Sequence, residues 1–310
     1  MTAHAAAAET AQAYPTHPIR LVIAFPPGGG NDIIARFVGA RLTARVGQQI
    51  VVDNRGGASG IIGTEIVARA PPDGYTLLFA SVTHTMNEAI RKLPYDTIKS
   101  FAPVAMLGRG PNVLVVHPSV PARSLQEFIA LAKTKPGQIN YASTGTAGMH
   151  HFGGELFKRA AGINLTHVPF KGGGPASLAV ISGQVEMMFS TMPLALPFIR
   201  AGKLRALGVG GPTRSPLLPD VPTLTEAGAP GYEFTVWWGI VAPAKTPAAI
   251  IAKLNSEINA VLMDPETAKQ LANEGAEVTP WTPAQFGAFL ATNLERWTRV
   301  ARESEIKAID

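Results

Sequence analysis

From Pro18 onward one unit recurs along the chain: a short apolar run rich in β-branched and aromatic residues, a loop of Gly, Ser, Thr or Pro, and a segment with helical periodicity. That alternation limits the fold more than any other feature, because strands separated by helices run parallel in a sheet whose faces the helices cover. The first strand, 19–25, breaks at Pro26-Pro27-Gly28-Gly29-Gly30, and Asn31 is the expected N-cap of the following helix. In that helix Ile33, Ile34, Phe37, Val38 and Leu42 form the apolar stripe, Arg36, Arg41 and Arg45 are expected to face water, and Gly47 marks the end. Further strands are expected at 50–53, 75–80, 104–107, 113–117, 139–142, 165–169, 185–189, 204–209 and 234–241. Helices are expected at 61–70, 125–134, 149–161, 176–181, 248–263 and 283–302.

A chain of 310 residues accommodates two such domains. Two β-rich runs flanked by proline, 112–118 and 234–243, read as crossings between them. Two crossings make the first domain discontinuous, 14–111 plus 236–310, with 112–235 as the second. Paired crossings form a hinge, and a hinge implies a cleft.

Composition removes whole classes of function. No run approaches the roughly 18 apolar residues of a membrane-spanning helix. With no cysteine there are no disulfides, thiolate nucleophiles or Cys-ligated metals, which also suits an oxidising compartment. The net charge of +5 is scattered rather than clustered, so no nucleic-acid partner is expected; a mildly cationic surface instead speeds encounter with anionic solutes. Residues 1–13 lack the basic and apolar regions of a signal peptide. Ala11-Gln12-Ala13 before Tyr14 does resemble a cleavage site, so 1–13 are expected to be a disordered remnant of a signal or tag region.

In open α/β sheets ligands bind beyond the carboxyl ends of the strands. Five strands here run into loops of small or hydroxylic residues. The first carries Phe25, Pro27, Gly28, Gly29, Gly30 and Asn31, and the second Ser81, Thr83 and His84. The third holds Ser143, Thr144, Gly145, Thr146 and Ala147, with His150 just inside the next helix. Phe170, Lys171 and Gly172 form the fourth, and Ser190 opens the fifth. Glycine lets backbone approach a ligand, hydroxyls donate, and helix N-termini carry unsatisfied N–H groups and partial positive charge. Together they make a carboxylate receptor that needs no arginine. Each glycine cluster read singly is equally well a tight strand-to-helix connection; the fivefold coincidence favours a ligand.

Other constellations carry less. His150 and His151 project about 100° apart on a helix, and His151 with Glu155 reads as a surface pair, so no metal site is expected. Trp237 and Trp238 point to opposite faces of a strand, so at most one lines the cleft. The phosphate-loop, dinucleotide, zinc-protease and nucleophile-elbow motifs are all missing. A hydrolase or transferase acting on a carboxylate is the alternative reading, with Ser81 and His84 as its nucleophile and base.

Collinear stretches then tie the chain to a known group. They are Tyr14-Pro15, Pro18-Ile19-Arg20, FPPGG at 25–29 with Asp32, VDNRGG at 52–57, PDGYTLL at 72–78 and LPYD at 93–96. NYAS at 140–143, VPFKG at 168–172 and LPDVPT at 218–223 continue the match, which spans Tyr14 to the C-terminus. In these the chain resembles the Bug receptors, the TctC-like solute-binding proteins of tripartite tricarboxylate transporters. The resemblance implies a type II periplasmic-binding-protein fold, a closing cleft, carboxylate ligands held partly through ordered water, no cofactor and no catalysis. Carried over by position, it points to Phe25, Pro27, Gly28, Gly30, Ser81, Thr83, Ser143, Gly145, Thr146, Phe170 and Lys171. Lys171 is either a counter-ion or structural. Many relatives place an acid where this chain has Ser190-Thr191, so the expected ligand is a plain mono- or dicarboxylate, aromatic ones included, rather than a zwitterionic amino acid. The expected product of these readings is a monomeric periplasmic protein that hands its ligand to the membrane subunits of a tripartite transporter or to a sensor domain.

Overall fold

The computed structural model describes residues 14–146, 148–278 and 280–303. Its first lobe is built on β1 (Ile19–Ile23), apolar and buried but for the half-buried Arg20, as a central parallel strand should be. Helix α1 (Gly30–Val46) leads from it to β2 (Ile50–Asn54), and Gly47 ends the helix in the left-handed region with φ of 70°. Helix α2 (Ile61–Ala68) connects to β3 (Thr76–Ser81), on which α3 (Val82–Ile90) follows without a linker. Strands β2 and β3 flank β1 in parallel, Leu21 lying opposite both Val52 and Leu77.

The next strand, β4 (Phe101–Val116), is the spine of the molecule. The expected strands 104–107 and 113–117 are one, because Gly108, Gly110 and Pro111 between them stay paired with the C-terminal strand β9 (Thr235–Pro243). Beyond Pro111 the partners of β4 change. The second lobe begins with α4 (Leu125–Thr134), β5 (Asn140–Ser143), α5 (Met149–Ala161) and β6 (Thr166–Pro169). It continues through α6 (Gly173–Ile181), β7 (Met187–Thr191), α7 (Met192–Arg200) and β8 (Arg205–Val209). Here β4 lies between β7 and β8, antiparallel to both, and β5 joins β7 to β6. At the switch Asn112 N–H donates to Phe234 O at 3.4 Å and Phe234 N–H to Gly210 O at 2.7 Å, so both crossings run side by side.

The strand order is β2-β1-β3-β9-β4-β7-β5-β6, with β8 on β4. Helices α8 (Ala248–Met263), α9 (Pro265–Asn273) and α10 (Pro283–Glu303) close the chain. No helix among the described residues is long and apolar enough to cross a membrane.

Three helices escaped the sequence reading. Helix α3 carries the hydroxylic run Ser81 to Thr85 that reads as loop, and α7 contains Pro193 and Pro197. Pro193 sits in the first turn, where a missing N–H costs nothing. Helix α9 is announced by Asp264, which caps Thr267 N–H, and by Pro265. The first helix is capped by Gly29, not Asn31. Arg36 faces water as expected while pairing with Asp32, and Arg45 reaches Glu257 at the surface, whereas Arg41 is half-buried against Gln270 and Thr267. Trp237 and Trp238 do face opposite ways. Trp237 donates to Asn293 Oδ1 on α10 at 3.1 Å, and Trp238 to Asn31 Oδ1 at 3.0 Å.

Candidate ligand site

Five helices, α1, α3, α5, α6 and α7, start where the strands of the two sheets end. Their N-caps are Gly29, Ser81, Gly148, Gly172 and Thr191, and none is closed by a side chain. Three are glycines with nothing to offer. Ser81 and Thr191 are good capping residues that leave the task undone, whereas Ser124 and Asp264 cap α4 and α9 in the usual way. The first N–H groups of each of the five helices therefore keep their hydrogen-bonding capacity, together with the positive end of the helix dipole.

In the first lobe the loop from Phe25 to Gly29 is held by a carboxylate behind it. Asp32 accepts from Gly28 N–H at 3.0 Å, from Arg36 Nε at 3.0 Å and from Asn54 Nδ2 at 3.0 Å, and the same Asn54 amide donates to Phe25 O. Burial alone would raise the Asp32 carboxyl; the hydrogen bonds from Arg36, Gly28 and Asn54 outweigh it and hold the group below its ordinary value. Gly28 has φ of 81°, a conformation that suits glycine. Asn31 links this loop to the next, donating to Ser81 Oγ at 3.3 Å, and Ser81 lies 3.3 Å from Thr83 Oγ1.

The proposed nucleophile and base do not meet. His84 turns into the lobe, its Nε2 3.1 Å from Thr97 O and its ring edge-on to Phe101 at 4.9 Å. Burial pushes its pKa down to about 4. Phe25, Ser59, Ser81, Thr83, His84 and Asn87 border a cavity of about 10 Å³, room for one water molecule. A larger recess of about 520 Å³ lies past the C-terminal end of α3, lined by residues 88 and 91–96, and includes none of the five loops.

In the second lobe Ser143 is buried and its Oγ is engaged by Gly145 and His167. Thr144 Oγ1 is buried with no partner among the described residues, as are both ring nitrogens of His150 and Thr191 Oγ1. Burial pushes His150 down to about 4, so it is neutral at neutral pH. Phe170 is half-buried and its N–H donates to Ser143 O at 3.0 Å; Lys171 is exposed; Gly172 has φ of 117°. Ser190 donates to Thr191 O at 3.3 Å. Ala147 lies outside the described residues.

The two walls meet through backbone and small side chains. A Cβ placed on Gly30 would stand 2.1 Å from Thr191 Oγ1, on Gly29 3.8 Å from Gly173 N, on Gly172 3.2 Å from Pro26, and on Gly174 3.5 Å from Gly28 O. Ser59 Oγ donates to Thr146 O across the same gap at 2.7 Å, and Asn87 Nδ2 donates to Ser59 O at 3.0 Å. Sequence reasoning missed Ser59, Asn87 and Asn54 as members of this region; Asn54 entered only as part of the VDNRGG stretch of the family resemblance.

Comparison with known proteins places this geometry. A profile described as "Tripartite tricarboxylate transporter family receptor" matches residues 34–306. The Rhodopseudomonas palustris protein solved as "R. palustris Rpa4515 with adipate" is 34% identical, covers 96% of this chain and 100% of its own, and superposes with a TM-score of 0.92. The "periplasmic binding protein BugD" is 31% identical with a TM-score of 0.91, covering 95% of this chain and 99% of its own. "MatC (Rpa3494) from Rhodopseudomonas palustris with bound malate" is 34% identical with a TM-score of 0.88, covering 93% and 99%.

Proposed function

Because this chain belongs to the receptor family of tripartite tricarboxylate transporters, a family of binding proteins rather than enzymes, we propose that it captures a small organic carboxylate between its two lobes. One observation carries the reading: five helices direct uncapped N-termini toward a common gap, and beside them Thr144 and Thr191 hold buried hydroxyls with no protein partner among the described residues. A carboxylate satisfies such donors without a counter-ion. The adipate and malate named with two of the neighbours belong to the same chemical class.

The ligand is a plain mono- or dicarboxylate, aromatic ones included. An ammonium entering the gap would need an acid, and Ser190 and Thr191 supply none, while Asp32 is spent on Gly28, Arg36 and Asn54. The protein works in the periplasm as a monomer and passes its ligand to transporter membrane subunits or to a sensor domain. Its lobes divide as 14–111 plus 236–310 and 112–235, a division supported by the change of β4 partners at Pro111. The hydrolase reading loses its support, since His84 turns its Nε2 to Thr97 O and no hydrogen bond joins the ring to Ser81 among the described residues.

A thermal-shift and calorimetric panel of carboxylates tests the proposal. Saturation at about 100 times the dissociation constant adds roughly 2.7 kcal/mol of stability. Tight binding of aspartate or glutamate would remove the restriction to plain carboxylates, and a panel with no shift at all would sink the reading.

A further inference from the structure

One polar cluster joins strands β5 and β6 to helix α5. Strands β5 and β6 lie side by side with Tyr141 opposite His167, and Ser143 follows two residues on, so all three side chains share one face. His167 Nε2 is 2.6 Å from Ser143 Oγ. The same Oγ accepts from Gly145 N–H at 3.1 Å and donates to Gly145 O at 3.1 Å. The hydroxyl has a single proton for two acceptors; placed on Gly145 O, it leaves the hydroxyl an acceptor toward His167, with the ring hydrogen on Nε2.

The histidine is itself fixed. Its ring stacks on His151 of α5 at 3.9 Å and 17°, and lies 5.0 Å from the Tyr141 ring. Tyr141 donates to Glu155 at 2.6 Å, and Glu155 also receives Lys158 Nζ at 2.9 Å. Burial first, and His151 alongside, push His167 down to about 4, so at neutral pH it is uncharged and has one N–H to give.

The hydroxyl of Ser143 is thus consumed inside its own turn, while that of the next residue is not. Thr144 Oγ1 is buried and unpartnered; a Cβ on Gly148, the N-cap of α5, would stand 3.0 Å from it. A Cβ on Gly173, the first residue of α6, would stand 3.8 Å from the Thr144 methyl. The turn places Thr144 where two uncapped helices begin.

We propose that His167 is a positioning residue: through Ser143 it fixes the turn that presents Thr144 to the ligand, and Ser143 makes no ligand contact of its own. The effect on affinity rests on the carboxylate reading; the ring hydrogen on Nε2 does not.

The test combines calorimetric titration of adipate and malate with ¹⁵N spectra of the imidazoles. Thr144→Val and His167→Leu each weaken binding by about tenfold, the size of one lost hydrogen bond in a closed site. His167→Gln, whose amide nitrogen can occupy the place of Nε2, restores most of it, and the double variant T144V/H167L is no weaker than either alone. Ser143→Ala cuts the same bond from the other side and weakens binding equally, which keeps the proposal testable should H167L not fold. The native spectrum shows His167 with its hydrogen on Nε2, and the signal moves in S143A. Native affinity in H167L or S143A beside a weakened T144V, or a ring hydrogen found on Nδ1, overturns the proposal. If the native protein binds neither probe, the carboxylate reading fails for these ligands, and the ring spectrum alone decides this one.

Discussion

Gly30 meets Thr191 with no room for a side chain between them, and replacing it by alanine should hold the lobes apart without unfolding either. The added methyl carbon would stand 2.1 Å from Thr191 Oγ1 and 3.2 Å from Thr191 Cβ, whereas ordinary contact begins at 3.4 Å, so about 1.3 Å must be found. Rotating Thr191 brings little relief, because its Cγ2 is already 3.5 Å away and the residue is buried. If the lobes yield instead, the Ser59 to Thr146 bond of 2.7 Å opens to about 4 Å, beyond hydrogen-bonding range. A carboxylate then loses the donors of one wall. Two charge-assisted bonds at about 1.5 kcal/mol each amount to roughly a hundredfold in affinity. The helix itself loses nothing, since at its first residue alanine forms helix at least as well as glycine. Gly30→Ala should therefore melt no lower than the native protein while binding adipate or malate at least about a hundredfold more weakly by calorimetry. Adding Thr191→Ala to it should bring binding back to the level of T191A alone. Native affinity in G30A would refute the argument that these lobes close backbone to backbone.

Removing the cross-lobe hydrogen bond by Ser59→Ala should weaken ligand binding about fivefold and leave the melting temperature without ligand unchanged; an equal loss in both would make Ser59 a structural residue of its own lobe. Asp32→Asn should lower both stability and affinity, and because the Asp32 carboxyl sits below its ordinary value when folded, its contribution is present above about pH 4 and disappears as the pH falls further. Urea midpoints of D32N and the native protein should accordingly converge in strong acid, and a constant gap would be evidence against the assignment. His84 and His150, held near 4 when folded against about 6.5 when unfolded, contribute stability that is complete above pH 6.5 and lost on the way down to pH 4, up to about 3 kcal/mol each. A stability profile flat between pH 7 and pH 4 would contradict their burial as neutral rings.

Much of the architecture could be read in advance because apolar period and loop chemistry agree. Helices 125–134, 149–161 and 248–263 begin and end where their periodicity and flanking residues place them. The errors have physical causes. Gly108 and Pro111 look like strand breakers, yet β9 supplies partners on their edge and β4 runs on unbroken. Ser81-Val82-Thr83-His84-Thr85 has loop composition, but burial against β3, β9 and α10 overrides a weak preference and makes it a helix. The five loops stood out because glycine and hydroxyl residues follow strands. Which hydroxyls remain free was beyond the sequence: Ser143 and Thr144 are adjacent and similar, and only the position of His167, beside Tyr141 on the neighbouring strand, separates a structural one from one available to a ligand.

The strand that joins β3 to β4 also governs the order of assembly. β9, which fills the place between β3 and β4, contains residues made only after the whole of 112–235. A nascent chain emerging from its N-terminus therefore carries β1, β2 and β3 as an unfinished half-sheet with an open edge until residue 243 arrives. The inserted lobe has its β4 partner from the outset and can fold first. Released chains truncated after residue 230 should accordingly protect amides of β5 and β7 from exchange while those of β3 still exchange freely.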